Sequence, residues 1–339
     1  MVKWLFVTAD DLGLNSAVNL AIRAAFDGGL ATSAALLVNA PLVSEAVALA
    51  KRPPRLPCGV HLTLTCGRPV SPPGEVQSLT DRHGRFPPLP AFLARYAAGA
   101  IRLAEVEREW RAQCAEFLRH AGPPASLSSH HHLHLLPRLY ALALRLAAEY
   151  HVPWLRPRRE VAHPGRRALG AGGRLRDALT ADGAKSAAFQ AVLVYAAARR
   201  GPPAAPATGF LRLRRLPGID LVQSLRRLLI CLPPGRFELV CHPAYADPAW
   251  PQGRRHAGEV AALGDPGVRE LCARLGIGLL SPADPLPGPL VPAAGRAAQG
   301  GTDRAHVADQ PDAGGRELLA APGHHLAGQL HQCPYPAPG

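Results

Sequence analysis

The sequence is poor in lysine and in aromatic residues. Lys3, Lys51 and Lys185 are its three lysines among 38 basic residues, and Phe, Trp and Tyr make up 5% of the 339 residues. A formal net charge of +13 would by itself suggest nucleic-acid binding, because basic surfaces attract phosphates. The arginine clusters, such as 156–159, lack interleaved aromatic side chains on which bases stack. We therefore expect no nucleic-acid partner and attribute the arginine excess to GC-rich coding.

Long apolar runs and paired cysteines are also missing. No stretch approaches the roughly eighteen consecutive apolar residues of a membrane-spanning helix. Met1–Phe6 passes into a short apolar segment without the parts of a secretory signal. Seven cysteines lie between Cys58 and Cys333 with no CxxC pair, which weighs against a disulfide framework and a cysteine zinc site. These absences favour a cytoplasmic protein without a transmembrane segment.

Hydrophobic residues make up 47% of the chain, and they alternate between strand and helix patterns. Short apolar runs that end in polar residues indicate buried strands, and apolar residues at helical spacing indicate helices between them. This order predicts an α/β fold in which helices pack outside a parallel sheet. The predicted strands are 3–9, 33–38, 59–64, a short strand ending near Ser129, 152–155, 237–241 and 278–281. The predicted helices are a first one from Asn15 or Ser16 to Gly28, then 44–51, 105–120, 139–150, 221–232 and 266–275.

Two segments depart from that pattern. From about Asp284 the composition shifts to Pro, Gly, Ala, Gln and His, so residues 285–339 are predicted to be a disordered tail. Residues 163–218 are rich in Gly, Arg and Pro apart from a candidate helix near 186–200, and we expect an irregular excursion from the scaffold there. The sequence thus predicts one α/β domain over residues 1–284, followed by the tail.

Polar clusters stand where predicted strands end, which is the edge at which α/β folds assemble their sites. The first cluster contains Asp10 and Asp11, which follow an apolar strand. Neighbouring side chains at a strand end point to opposite sides, so one carboxylate can bind a metal while the other moves a proton. The alternative interpretation is a solvated turn with an acidic helix start.

Histidines supply the other clusters. His61 lies at the end of one strand, and a run of four imidazoles follows another; in an extended segment its period of two places His130, His132 and His134 on one face. A lone histidine such as His61 is often a buried core residue. A carboxylate with two imidazoles, however, is typical of a zinc, manganese, iron or cobalt site with open positions for water and substrate. His242 ends a further strand and is a candidate proton donor.

In chain order, these motifs resemble those of the YdjC-like carbohydrate deacetylase family, which includes chitooligosaccharide (chitin disaccharide) deacetylases and hopanoid-biosynthesis deacetylases. The motifs that carry the resemblance are TADDLG at 8–13, LVN at 37–39, GVHLTLT at 59–65, SHHHLHLLP at 129–137, the Arg156 region and CHPAYAD at 241–247. The resemblance covers roughly residues 2–284 with a weak middle. Several short motifs in register are far more specific than one.

The resemblance implies a TIM-like (βα) barrel related to the polysaccharide deacetylases. It also implies one divalent ion held by Asp11, His61 and His130, with Asp10 as the general base. Magnesium is the ion that the resemblance permits, whereas the chemistry of the ligands favours zinc or another transition ion.

The predicted function is metal-assisted removal of acetyl groups from N-acetylated sugars of the chitooligosaccharide type. The ion would polarise the acetamide carbonyl, and His242 would protonate the leaving amine. Substrate contacts are expected from His132, His134, Arg156 and Asn39. The expected partner is an N-acetylated oligosaccharide, and a homo-oligomer is compatible with the sequence.

One position departs from the family pattern. The family usually has an aspartate two residues before the first histidine of the cluster, and this chain has Ser128. If that carboxylate orients a ligand ring, its absence weakens metal binding or slows the reaction. Two alternatives therefore stay open: a deacetylase of a hopanoid-linked N-acetylglucosaminyl lipid, ranked second because that branch differs within the histidine cluster, and a catalytically weak metal- or sugar-binding protein.

Overall fold

The computed structural model describes residues 2–161, 209–216, 218–250, 253 and 256–285. Within these residues seven strands form one sheet, and every pairing in it is parallel. The strands are β1 (Lys3–Leu12), β2 (Ser33–Leu36), β3 (Cys58–Leu62), β4 (Leu127–Ser129), β5 (Gly209–Arg212), β6 (Gly235–Cys241) and β7 (Ile277–Leu279). The helices are α1 (Ser16–Asp27), α2 (Val43–Lys51), α3 (Leu89–Ala97), α4 (Leu103–Ala121), α5 (Pro137–Glu149), α6 (Leu221–Ile230), α7 (Ala257–Leu263) and α8 (Pro266–Arg274). The predicted α/β class with a parallel sheet is confirmed.

Strand β1 lies at the centre of the sheet, whose order is β4-β3-β2-β1-β6-β5. On one side of β1, strand β6 pairs with residues 3–9. On the other side, β7 pairs with residues 3–5 of β1 and β2 pairs with its residues 8–12. The sheet forms a half-barrel. Because all its strands are parallel, their carboxyl ends meet at one edge, where sites of such folds are built.

A segment outside the named strands runs between the two ends of the sheet. Near its start, the N–H of Arg156 donates to the carbonyl of Leu127 in β4 (3.0 Å). Near its end, the N–H of Val161 donates to the carbonyl of Phe210 in β5 (2.7 Å). Residues 154–161 are therefore hydrogen-bonded to both β4 and β5.

The first βα unit shows how the sequence pattern builds the core. Leu5 and Val7 of β1 are fully buried, and helix α1 begins after Asn15, whose side chain accepts a hydrogen bond from the N–H of Val18 (2.9 Å). This is one of the two predicted caps. Val18 and Ile22 of the helix are buried in the core, where each large aliphatic side chain stabilises the fold by about 1.5–3 kcal/mol.

Several local predictions differ from the structure. Helices α3 and α7 were not predicted: prolines at 87, 88 and 90 mask the start of α3, and the seven residues of α7 give about two helical turns. The strand predicted at 152–155 is reduced to an isolated bridge between Leu127 and Leu155. Strand β5 pairs with β6 although it lies inside the segment 163–218, so the irregular structure expected there is wrong for Gly209–Arg212.

Other predictions lie outside the described residues. They are the helix near 186–200, the remainder of the excursion up to residue 208, and the disordered tail, for which only residue 285 is described. The domain boundary near 284 stays a prediction. In the part of the chain that the structure describes, no helix is both long and apolar enough to cross a membrane.

Candidate metal centre and active site

The carboxyl end of β1 brings both predicted carboxylates to one place. Asp11 has a left-handed backbone (φ 70°), and the pairing of β1 with β2 is irregular between Ala9 and Leu12. The alternation of side chains along a strand is therefore broken at this point. The Nε2 atom of His61 lies 3.3 Å from Asp11 Oδ1 and 3.9 Å from Asp10 Oδ2. The expectation that the two carboxylates point to opposite sides is thus wrong, since both face the same imidazole.

Asp11, His61 and His130 form a buried cluster with the composition of a metal site. One ligand atom from each of the three lies within 4.8 Å of the others, and His130 Nδ1 is 2.7 Å from Asp11 Oδ1. Burial alone would lower the pKa of His130, but the neighbouring Asp11 outweighs it and raises the pKa. Burial would likewise raise the pKa of Asp11, yet the two imidazoles hold it well below its usual value. One carboxylate and two imidazoles fit a divalent ion with positions left for water and substrate.

Ser128 supports this cluster from the neighbouring strand. It lies opposite His61 in the register of β3 and β4, and its hydroxyl is 2.8 Å from His61 Nδ1. A hydrogen bond at Nδ1 fixes the orientation of the ring and directs Nε2 towards Asp11. Ser128 therefore makes a hydrogen bond to a ligand ring, the kind of contact that we expected the usual aspartate to make at this position.

The histidine run is folded as a turn rather than an extended segment. Residues His130–Leu135 form a 3-10 helix, interrupted by left-handed backbone at His131 (φ 55°) and His132 (φ 54°). The prediction that alternate histidines share one face is therefore wrong. His130 reaches the metal cluster, whereas His134 is fully buried with Nδ1 2.6 Å from the hydroxyl of Ser129. Burial, reinforced by nearby Arg156, keeps the pKa of His134 well below its usual value.

Arg156 is fully buried and binds Asp10 through two hydrogen bonds. Its Nη1 and Nη2 atoms lie 2.8 and 2.7 Å from the two carboxylate oxygens. Its remaining N–H groups face Glu238 Oε1 at 2.9 Å from both Nε and Nη2, and His132 Nδ1 at 3.4 Å. Three of its hydrogen bonds go to carboxylate oxygens, two to Asp10 and one to Glu238. The expected contact of Arg156 with a substrate stays a prediction.

The Arg156 fork also sets the charge of Asp10. Burial alone would raise the pKa of this carboxyl, but Arg156 and then His61 outweigh it and lower the pKa. Asp10 is therefore ionised at neutral pH, and its two oxygens have defined positions.

His242 faces this cluster across a small pocket. Its Nε2 is 3.8 Å from Asp10 Oδ2, and its backbone N–H donates to Glu259 Oε2 (2.5 Å). Burial lowers the pKa of this imidazole. The pocket is lined by Asp10, Asp11, Val18, His242, Trp250 and His256, and the rings of Trp250 and His256 lie parallel within 8° at 6.3 Å. The predicted base and proton donor therefore share one cavity.

Asn39 lies elsewhere. Its amide nitrogen donates to the carbonyls of Cys66 and Arg68, each at 2.9 Å, and thereby fixes the loop after β3. It is not among the residues that line the pocket. Its expected contact with a substrate stays a prediction.

Five residues in or near the site were not predicted from the sequence: Glu238, Trp154, Trp250, His256 and Glu259. Only Glu238 carried a readable signal, because a charged residue inside the apolar run of β6 demands a partner. Trp250 and His256 reach the pocket from a loop after β6, and neither periodicity nor spacing predicts where loop side chains lie.

Together, the half-barrel and the buried Asp-His-His cluster define an α/β protein with a candidate divalent-metal centre. The chain belongs to the YdjC-like protein family, whose profile matches residues 4–274. This confirms the family to which the motifs pointed.

Proteins similar to this chain are named as deacetylases. A carbohydrate deacetylase of Geobacillus stearothermophilus is 38% identical over 166 residues, covering 49% of this chain and 64% of that protein. A carbohydrate deacetylase of Brevibacillus brevis is 44% identical over 149 residues, covering 44% of this chain and 57% of that protein. The chain thus spans under two thirds of these two curated relatives. A chitooligosaccharide deacetylase of Yersinia pestis is 32% identical over 249 residues, covering 73% of this chain and 84% of that protein.

A solved structure has the same fold. It is a putative cellobiose-phosphate cleavage protein of Enterococcus faecalis, with a TM-score of 0.64 and 27% sequence identity. The match covers 83% of this chain and 98% of the other.

Proposed function

We propose that this protein is a metal-dependent hydrolase that removes acetyl groups from N-acetylated sugars of the chitooligosaccharide type. The observation that carries the proposal is the pocket in which Asp10, Asp11 and His242 meet beside the buried His61–His130 pair. The names of the similar proteins support the choice of an acetylated sugar over other amides.

The ion would be held by Asp11, His61 and His130. When bound, a divalent ion supplies a Lewis acid for the acetamide carbonyl and lowers the pKa of a water molecule. Ligand chemistry favours zinc or another transition ion, and the family resemblance permits magnesium.

The proton transfers belong to Asp10 and His242. Asp10 accepts a proton from the water whose oxygen attacks the carbonyl carbon, and Arg156 keeps that carboxylate ionised and oriented beforehand. His242 delivers a proton to the nitrogen as the C–N bond breaks, which leaves acetate and a free amine. Asp10 Oδ2 and His242 Nε2 lie 3.8 Å apart. A shift of under about 1 Å in the substrate complex brings them to the hydrogen-bond distance at which the proton taken up by Asp10 passes to His242. Trp250 and His256 offer the sugar ring a flat wall beside these groups.

The remaining finer features are part of the same proposal. The sheet is proposed to close into a TIM-like barrel, which is supported by residues 154–161 because they hydrogen-bond to both β4 and β5. We also propose that residues 1–284 form one domain and that the protein acts in the cytoplasm. A hopanoid-linked substrate and a non-catalytic binding role have no feature of the described residues in their favour, and Ser128 retains its bond to His61.

Acetate release from N,N′-diacetylchitobiose, with an equal yield of free amine, tests the proposal. The metal-loaded protein should deacetylate this sugar, and a hopanoid-linked N-acetylglucosamine should be a much poorer substrate. Acetate release from the lipid but not from the disaccharide would show that the hopanoid-linked sugar is the substrate. Sugar binding without any acetate release would reduce it to a binding protein.

A further inference from the structure

Glu238 is a fully buried carboxylate that the proposed reaction does not use. It lies in the middle of β6 with 1% of its surface exposed, and its strand neighbours Phe237 and Leu239 are buried apolar residues. Moving an unpaired carboxylate into such surroundings costs several kcal/mol. Its presence in the core therefore requires partners that hold its charge.

Those partners come from one short segment of chain. Glu238 Oε1 accepts a hydrogen bond from Arg156 Nε at 2.9 Å and forms an ion pair with Nη2 at the same distance, and Oε2 accepts a hydrogen bond from Trp154 Nε1 at 3.0 Å. Trp154 and Arg156 are two residues apart, so their side chains leave an extended segment on the same side. The Trp154 ring is held in turn against Phe6 at 4.3 Å between centroids.

The Arg156 guanidinium spans the distance from Glu238 to the proposed base. In the register of β1 and β6, Glu238 lies opposite Phe6, four residues before Asp10 along β1. At about 3.3 Å per residue this is about 13 Å along the strand. The side chains close this backbone separation, because Arg156 Nη2 lies 2.7 Å from Asp10 Oδ1 and 2.9 Å from Glu238 Oε1. The guanidinium is planar, so a partner that fixes Nε also fixes the directions of Nη1 and Nη2 towards Asp10.

We propose that Glu238 is a positioning residue: it holds the Arg156 fork, and through that fork it sets where the two oxygens of Asp10 stand. This inference rests on the proposed function for the role of Asp10. The contacts from Trp154 to Glu238, from Glu238 to Arg156 and from Arg156 to Asp10 form one continuous chain of buried hydrogen bonds.

The test is Glu238→Gln, which keeps the shape of the side chain but replaces one carboxylate oxygen by an NH2 group. That NH2 group would face either Arg156 or Trp154, and both of these are donors themselves. We expect kcat for acetate release to fall about 10- to 100-fold, with KM and metal stoichiometry little changed, because a misplaced base affects the chemical step. Trp154→Phe removes one donor and keeps the aromatic contact, so it should lower kcat less. In an Arg156→Lys background, Glu238→Gln should add little further loss, because the fork that it positions is already gone.

The matched control is Glu160→Gln. Glu160 is another buried carboxylate on an arginine, with Oε1 2.8 Å from Arg212 Nε, but it makes no hydrogen bond to Asp10 or Arg156 among the described contacts. Its kcat should stay near that of the wild type. Equal kcat losses in Glu160→Gln and Glu238→Gln, or full additivity with Arg156→Lys, would overturn the positioning role.

Crystal structures of the wild type and Glu238→Gln separate this inference from the proposed function. The variant should lose the two-bond contact between Arg156 and Asp10 whether or not the protein releases acetate. A wild type without deacetylase activity would refute the proposed function alone. An intact Arg156–Asp10 fork in the variant would refute the role of Glu238 alone.

Discussion

At the scale of single residues, Asp10 and Asp11 differ in their partners although they carry the same side chain. Asp10 is bound by the Arg156 fork and faces His242, whereas Asp11 is bound by His130 and lies nearest His61. The different tasks that we propose for them rest on these contacts and not on the opposite directions that a regular strand would impose.

Replacing each carboxylate by an amide should therefore give different defects. Asp10→Asn should keep the metal and lower kcat by roughly 10²- to 10⁴-fold, the usual effect of removing a general base. Asp11→Asn should weaken metal binding first, and excess metal should restore part of its activity, because an amide oxygen remains a poorer ligand. Metal analysis and acetate release on both variants decide the matter. Loss of metal in Asp10→Asn with retention of metal and turnover in Asp11→Asn would reverse the assignment.

Ser128 should tune metal affinity through His61. Ser128→Ala removes the hydroxyl at His61 Nδ1, and we expect metal affinity to fall about 10- to 100-fold, as is typical when such outer partners are lost. Ser128→Asp should bind metal more tightly than the wild type, because a carboxylate is a stronger acceptor for the ring N–H. Ser129→Ala is the matched control, since the neighbouring hydroxyl binds His134 instead. Equal metal affinities of the wild type and Ser128→Ala in titration calorimetry would rule out this role.

At the scale of elements, helix α4 fixes the loop that follows β3. Glu109 accepts the N–H groups of Val70 and Ser71, each at 2.9 Å, and Gln113 bonds both backbone groups of Thr63. Glu109 and Gln113 are fully buried. The helix thus satisfies loop backbone groups that would otherwise be buried without partners.

Glu109→Gln should lower the free energy of unfolding by about 1–3 kcal/mol, because an amide keeps only one acceptor and leaves a buried N–H unsatisfied. Glu107→Gln is the control on the same helix, where the partly exposed ion pairs of Glu107 with Arg111 and Arg145 should contribute less than about 1 kcal/mol. Urea denaturation measures both. Equal losses in the two variants would show that the loop is not held by Glu109.

The elements also show what the sequence could predict. Strand β1 and the cap of α1 followed from an apolar run and from capping chemistry. Polar residues at strand ends gave the candidates for the metal cluster, and the family resemblance selected Asp11, His61 and His130 among them. The turn in the histidine run could not be predicted, because the left-handed backbone at His131 and His132 has no counterpart in the spacing of the residues. Trp250 was missed for a related reason: its place in the pocket depends on a loop path that no local pattern encodes.

At the scale of the whole molecule, three histidines with lowered pKa values, one fully and two partly buried, should make stability depend on pH. The pKa values of His131, His132 and His134 all lie well below the usual value, with burial as the first cause. The unfolded chain takes up protons on these side chains below about pH 6.5, and the folded chain does not. Stability should therefore fall as the pH drops from 6.5 towards 5.

His134→Asn tests this dependence, because His134 is fully buried and is not a proposed ligand. An asparagine oxygen can stand in for Nδ1 beside Ser129 but does not titrate. The slope of unfolding free energy against pH should shrink by up to about 1.4 kcal/mol per pH unit between pH 5 and 6.5. Denaturation of metal-depleted wild type and variant across this range gives the slopes. Identical slopes would mean that His134 is protonated in the folded protein.

The central claim is that Asp11, His61 and His130 hold the ion on which deacetylation depends, and one measurement tests it most directly. Acetate release from N,N′-diacetylchitobiose is followed for the wild type and His61→Ala before chelation, after chelation and after metal is returned. We predict that chelation abolishes release by the wild type, that about one equivalent of ion restores it, and that stoichiometric metal does not restore His61→Ala. Full activity in the chelated wild type, or undiminished metal content and turnover in His61→Ala, would contradict the account.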